Sequence, residues 1–333
     1  MAKKPTTEEK IAHLKSLRDD PQSPAALAEF TQALKDRSNY LTARAAEMAG
    51  ACALTSLVPQ LRAAFERFLS NPVKTDPQCL AKTAIAEALG KLGYEDAEFF
   101  KKGMHYVQFE PVWGGEKDTA ANLRGLCAFG LVQCSFGDAL EVLNQLVDLL
   151  ADPEKPARIN AARAIAHYSR REGIPVLRLK IRTGDEDPEV VGECFGALLC
   201  LTGREAIDLV AQYLDSLDPD MRLEAATALG EMREPQAFEV LHSCWEKHDD
   251  PQFKKALLIS MGLSRQQVAM DFLLRLIQDN SVETAANALI ALGPCRFQPS
   301  IKVKAEAALR EKDHPELRLV FKKVFGEVMA ELQ

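Results

Sequence analysis

The feature that most constrains this chain is a ladder of short signals recurring at intervals of 31 to 40 residues. Asp-Pro occurs at Asp152-Pro153, Asp187-Pro188, Asp218-Pro219 and Asp250-Pro251, at spacings of 35, 31 and 32, with earlier copies at Asp20-Pro21 and Asp76-Pro77. Asp accepts hydrogen bonds from the free amides of a first helical turn, and Pro has no amide to leave unpaired at the first helical position. Each pair therefore predicts the start of a helix. A second ladder runs through Gly50, Gly90, Gly130, Gly230, Gly262, Gly293 and Gly326, with Ala166 and Leu199 on the two remaining rungs. Glycine at these points would serve as a helix end or as a point of close approach. A period of this length, held along most of a 333-residue chain, marks stacked units sharing one continuous core rather than separate globular domains.

One unit shows how the core is built. Met221, Ala225, Ala228 and Leu229 keep helical spacing; Gly230 to Pro235 interrupts it; Phe238, Leu241 and Trp245 then restore it. The next unit repeats the pattern with Leu257, Met261 and Gly262, then Phe272, Leu273 and Leu276. Neither helix of a unit can bury its apolar face alone, so the two pair and the pairs stack. Hydrophobic residues make up 47% of the chain but aromatics only 7%, so the core is one of small and aliphatic side chains on good helix formers. The expectation is an all-α fold, a right-handed α-α superhelix of about eight helical hairpins over 36–312. An N-terminal tail and capping helix over 1–35 precede it, and a C-terminal capping helix over 313–333 closes it.

The run Asp218-Pro219-Asp220-Met221-Arg222-Leu223-Glu224-Ala225-Ala226-Thr227-Ala228-Leu229-Gly230 resembles a HEAT repeat of the phycobilisome-lyase type, a member of the armadillo-like solenoids. The resemblance extends over residues 36 to 326. It specifies architecture better than chemistry. What it implies is a scaffold that holds a protein or peptide on a concave surface. It also implies a bilin lyase-like subunit as an alternative, in which the Tyr106–Trp113 loop would pack a tetrapyrrole and Arg170 or Arg171 would pair its propionates. A third reading is a nucleic-acid binder similar to the HEAT-like alkylpurine DNA glycosylases.

Two departures from the repeat are candidate binding sites. The first two glycine intervals are 40 residues, and the second holds an insertion over 103–117 with His105, Tyr106, Phe109 and Trp113. Pro111 and Gly114-Gly115 preclude an uninterrupted helix there. Its aromatics either anchor a partner, as Trp and Tyr do at interface hot spots, or fold back to seal the core, and the second is the expectation. The other departure is electrostatic. Lys155, Arg158, Arg163, Arg170, Arg171, Arg178, Lys180 and Arg182 stand against the single acid Glu172, so this segment carries +7 in a chain of −7. It reads either as an anion site or as self-pairing with Asp185, Glu186, Asp187 and Glu189, and self-pairing is the expectation. Arg158, Arg222, Lys254 and Arg318 recur at equivalent positions, as in an Asp–Arg ladder between repeats.

Motifs for chemistry are sparse. None of the six histidines forms a His-Glu pair, which removes the ligands of the iron-binding HEAT hydroxylases; His242 and His248 with Cys244 lack a second ligand pair at zinc spacing. The eight cysteines fall mainly in apolar helical runs and read as reduced core residues. No glycine-rich phosphate loop is present. The polar N-terminus has no apolar signal segment, and no run is long enough to span a bilayer. The acidic balance argues against nucleic acid and anionic lipid. The expectation is a cytoplasmic, non-catalytic scaffold without metal or cofactor, whose partner is a protein or peptide.

Overall fold

The computed structural model describes residues 5–134, 138–312 and 314–326. The chain forms two compact units, Met1–Gly173 and Ile174–Gln333. In the first, α1 (Thr7–Ser16), α2 (Pro24–Leu34), α3 (Asn39–Ala51), α4 (Val58–Phe68), the short α5 (Pro72–Thr75), α6 (Leu80–Lys91) and α7 (Ala97–Met104) lead to a two-stranded hairpin. The hairpin is β1 (Phe109–Val112) and β2 (Gly115–Asp118), and α8 (Ala121–Gln133), α9 (Ala139–Leu150) and α10 (Lys155–Tyr168) follow. In the second, α11 (Gly173–Thr183), starting at the boundary, precedes α12 (Pro188–Thr202), α13 (Ile207–Ala211), α14 (Pro219–Glu231) and α15 (Pro235–Lys247). The chain continues through α16 (Pro251–Leu263), α17 (Gln267–Asp279), α18 (Val282–Ala291), α19 (Pro299–Lys312) and α20 (Pro315–Phe325).

Within each unit one row of helices stacks in register. The row is α3, α6, α8 and α10 in the first, and α12, α14, α16, α18 and α20 in the second, with the intervening helices packed alongside. These row helices carry or directly precede the rungs of the glycine ladder, so the period marks the repeat as expected. The row is built from small side chains: Ala43, Ala45, Ala46 and Ala49 on α3 and Ala81, Ala84 and Ala88 on α6 are buried. The glycines are mainly points of close approach. A Cβ on Gly230 would lie 2.3 Å from the Ser260 carbonyl oxygen, and one on Gly262 would lie 1.9 Å from that of Ala291. The left-handed residues that end several row helices stand three positions further on and are Ala53, Ser169, Arg233 and Arg265, non-glycines held there against a local steric cost.

Asp187, Asp218 and Asp250 cap α12, α14 and α16 with Pro at the first helical position. Asp218 accepts the amide of Asp220, and Asp250 those of Gln252 and Phe253. The earlier pairs behave otherwise. At the N-terminus Ser23-Pro24, not Asp20-Pro21, opens α2, and Asp76 and Asp152 precede their helices by several residues. The segment read as a tail contains α1, closed by a capping box between Thr6 and Glu9. Leu177 to Arg182, whose alternation would suit a strand, is helical, as its place in the repeat predicts. Cys79, Cys127, Cys194, Cys244 and Cys295 are buried free thiols, while Cys200 is exposed. No helix among the described residues is long and apolar enough to cross a membrane.

Candidate functional site

The insertion is a β-hairpin, the one sheet among the described residues. Its strands pair antiparallel from Phe109 opposite Asp118 to Val112 opposite Gly115, leaving Trp113-Gly114 as a two-residue turn. Gly114 supplies the left-handed conformation, at φ +92°, that such a turn requires. The tip is exposed: Trp113 at 103%, Phe109 at 58% and Val112 at 48%. The expectation that the aromatics fold back onto the core therefore fails for Phe109 and Trp113. The register of the strands puts Trp113 in the turn itself, beyond the last backbone pair, rather than against the helices. Only Tyr106 turns inward. Its hydroxyl donates to Gln108 Oε1 at 3.1 Å and its ring centroid lies 5.4 Å from the Lys82 ammonium. His105 stays exposed, its Nε2 2.8 Å from Gln145 Oε1 on α9.

The root of the hairpin is a buried polar cluster. Glu110 Oε1 accepts from the Gln78 amide at 2.6 Å, Gln108 Nε2 at 2.7 Å and Thr119 Oγ1 at 2.8 Å. Gln108 Nε2 also reaches the Asp76 carbonyl at 2.9 Å. Asp76 and Lys82 are both fully buried and joined at 2.8 Å, and the Asp76 carboxylate accepts the amides of Ala81 and Lys82. Asp118 accepts the amides of Gln108 and Ala120 and pairs with Arg124 Nη1 at 2.6 Å. Arg124 closes the cluster with a two-point bond to Asp152, 2.7 and 2.8 Å, and a third bond to the Tyr106 carbonyl.

Burial opposes ionisation in this cluster, and hydrogen bonds overcome it for Asp118 and Arg124. Burial alone would raise the Asp118 carboxyl, but the Ala120 and Gln108 amides and the Arg124 guanidinium hold it below the usual carboxylate range. Burial would lower Arg124, yet Asp152 and Asp118 raise it further. Groups without a counter-charge go the other way: burial pushes the Cys79 thiol and the Tyr106 phenol up to about 12. Neither ionises near neutrality, so the root acts as a charged clamp holding the exposed tip.

The basic segment is not one patch. Arg158 is 4% exposed, and its Nη1 donates to the Asp152 and Pro153 carbonyls at 2.9 and 2.8 Å, so its guanidinium is structural rather than presented to a ligand. Lys180 pairs with Asp185 at 2.6 Å, and Arg163, although exposed, is engaged within the chain. Arg170 lies over the Tyr168 ring at 5.5 Å. Arg171, Arg178 and Arg182 are exposed. The set straddles the boundary at Gly173. Of the ladder positions, Arg222 meets Asp250 at 3.5 Å, whereas Lys254 lies over the Trp245 ring. Among the described residues no group of three His, Cys, Asp or Glu side chains is arranged to hold a metal ion.

The residues that sequence reasoning missed are those of the clamp: Asp76, Lys82, Gln108, Glu110, Asp118, Arg124 and Asp152. A signal for them exists. Asp76 and Lys82, Asp118 and Arg124, and Asp152 and Arg158 are each six residues apart.

Such paired helices in register define a solenoid of helical repeats, and residues 207–293 match the HEAT repeats family. None of the curated proteins matches the chain. Among solved structures it is similar to the complex of CpcE and CpcF of phycocyanin lyase from Nostoc sp. PCC7120. That likeness has 19% identity over 72% of this chain and 91% of that one, with a TM-score of 0.37. It is also similar to human deoxyhypusine hydroxylase in complex with glycerol, at 16% identity over 91% of this chain and 92% of that one, with a TM-score of 0.31.

Proposed function

We propose that this protein is a non-catalytic interaction scaffold whose first unit docks a protein or peptide through the hairpin of Phe109, Val112 and Trp113. The observation that carries this reading is the full exposure of Trp113 on a hairpin whose root is clamped by buried ion pairs. A large aromatic left in water has no stabilising role in its own fold. Held rigidly, it loses little freedom on binding, which is what favours aromatic anchors at interfaces. Tyr106 and His105 belong to the stem rather than to the contact surface. On the second unit, Arg178 and Arg182 lie one turn apart on α11 and offer a separate contact for acidic groups.

The test is affinity capture from native cells with the wild-type chain, Trp113→Ala, and the charge reversal Arg178→Glu/Arg182→Glu, each first shown to melt like the wild type. A partner retained by the wild type and lost only with Trp113→Ala supports the hairpin as the docking element. Identical partners in all three samples overturn it. Loss only in the charge-reversed variant moves the site to α11.

A further inference from the structure

The hairpin carries an unused backbone edge whose chemistry narrows the kind of partner that fits. The Thr119 amide donates to the Gln108 carbonyl at 2.9 Å, so 108 and 119 form a hydrogen-bonded pair at the root, next to the two strands. Bonded and non-bonded pairs alternate along an antiparallel ladder. With Glu110 opposite Lys117 and Pro111 opposite Glu116, the backbone polar groups of Phe109, Pro111, Glu116 and Asp118 therefore point away from the hairpin's own ladder. On β1 this outward edge is broken, because Pro111 has no amide to offer. On β2 it is intact. Gly115, Glu116 and Lys117 are exposed, and among the described residues no group bonds the outward amide and carbonyl of Glu116. An open edge of this kind is a template for one more strand.

The side chains of β2 decide which strand. A second copy of this chain, pairing β2 on β2 about a two-fold axis, would set Glu116 against Glu116 or Lys117 against Lys117. Like charges directly opposite one another are destabilising, so the edge rejects its own kind. Among the described residues neither Glu116 nor Lys117 has an ion-pair partner, and the two stand on opposite faces of the strand. At Gly115 a Cβ would meet nothing within 4 Å. The exposed Val112 opposite it is therefore open on the side that faces the edge, and a large side chain of an incoming strand would cover it. We infer that the partner docks by strand addition: an extended segment of another protein pairs antiparallel with β2. It sets a large apolar residue opposite Gly115, a basic one opposite Glu116 and an acidic one opposite Lys117. Backbone bonds supply affinity in such pairing, and the alternating side chains supply selectivity. Strand addition presupposes the hairpin as docking element and adds how the partner is held.

The test separates the backbone edge from the side chains on it. A displayed library of random twelve-residue peptides is selected on the full chain. The winners are then titrated against the wild type, Glu116→Gln, Glu116→Pro and Trp113→Ala. Glu116→Pro removes only an outward amide, as Pro111 already does across the hairpin, and should weaken binding by roughly tenfold or more. Glu116→Gln keeps that amide and should weaken it by no more than about fivefold. N-methylation of the winning peptides, tested on the wild type and so independent of any folding defect, should abolish binding at alternate positions and be tolerated between them. Equal binding to the Gln and Pro variants, or N-methyl effects without alternation, overturns strand addition. So does a library that yields no binder. Winners lost with Trp113→Ala but indifferent to Glu116→Pro overturn strand addition alone and leave the hairpin as the docking element, while winners indifferent to both sink both. A wild-type dimer in sedimentation that Glu116→Pro dissolves makes a second copy the occupant and overturns the assignment to another protein.

Discussion

In the first unit an aspartate and a cation six residues later recur at Asp76 and Lys82, Asp118 and Arg124, and Asp152 and Arg158; in the second unit the corresponding positions, Asp218 and Arg222, and Asp250 and Lys254, are four apart. The two spacings give different interiors. At four, the aspartate is the helix cap, its carboxylate is used by first-turn amides, and the cation is left near the surface, as with Arg222 and its 3.5 Å contact to Asp250. At six, the aspartate stands two residues further back. The carboxylate of Asp76 or Asp118 then folds over the helix start and meets a cation inside the core. The lesson is that a two-residue change in register converts a surface ladder into a buried clamp, and the clamp is what the inserted hairpin stands on.

This contrast breaks most directly at its two arginines. Arg124→Ala strands Asp118 and Asp152 without their counter-charge, and should cost about 3–5 kcal/mol in urea unfolding. Arg222→Ala removes a partly exposed pair and should cost about 1 kcal/mol or less. Equal losses would show that the register difference has no energetic meaning. The same clamp carries a pH signature. The Asp118 carboxyl lies lower folded than unfolded, so its contribution is complete above the ordinary aspartate value of about 4. It is lost as pH falls through the lower folded value. Melting temperature should therefore fall as the medium is acidified below about pH 4, and Arg124→Met should flatten that acid limb.

Smaller effects sharpen the comparison at the glycines. Gly262→Ala in the second unit drives a methyl against the Ala291 carbonyl and should destabilise by about 1–3 kcal/mol. Gly90→Ala in the first unit meets nothing within 4 Å and should stabilise α6 by about 0.5–1 kcal/mol. Thermal melts of the two variants with opposite signs would confirm that the ladder holds both close-approach glycines and glycines with room to spare. The smallest expected change is Trp113→Ala, within about 0.5 kcal/mol of wild type by the same melts. A larger loss would mean that the tip serves the fold.

The repeat was legible because it is local: Asp218 and Asp250 sit beside the helices they cap, and Phe238, Leu241, Leu257 and Met261 are buried at the spacing the sequence shows. The clamp was not, because Arg124 finds Asp152 across 28 residues, and the position of a charge along a chain does not tell whether its side chain points inward. Arg158 shows the same blindness from the other side, counted in a basic segment yet spent on two backbone carbonyls. The hairpin escaped for another reason. Trp113-Gly114 is not among the strong turn dipeptides, and Pro111 argues as much against a strand as against a helix.

The three bonds converging on one oxygen of Glu110 have a mechanical consequence. One of them, from the Gln78 amide, ties the hairpin to the backbone just ahead of α6, while Arg124 ties the same root to Asp152, just ahead of α10. The arm from that root at Glu110 to the tip at Trp113 is three residues, about 10 Å long. A tilt of about 5° between those supports displaces the tip by about 1 Å over an arm of that length. The hairpin is in that sense a pointer: any such tilt along the first unit would be magnified at Trp113.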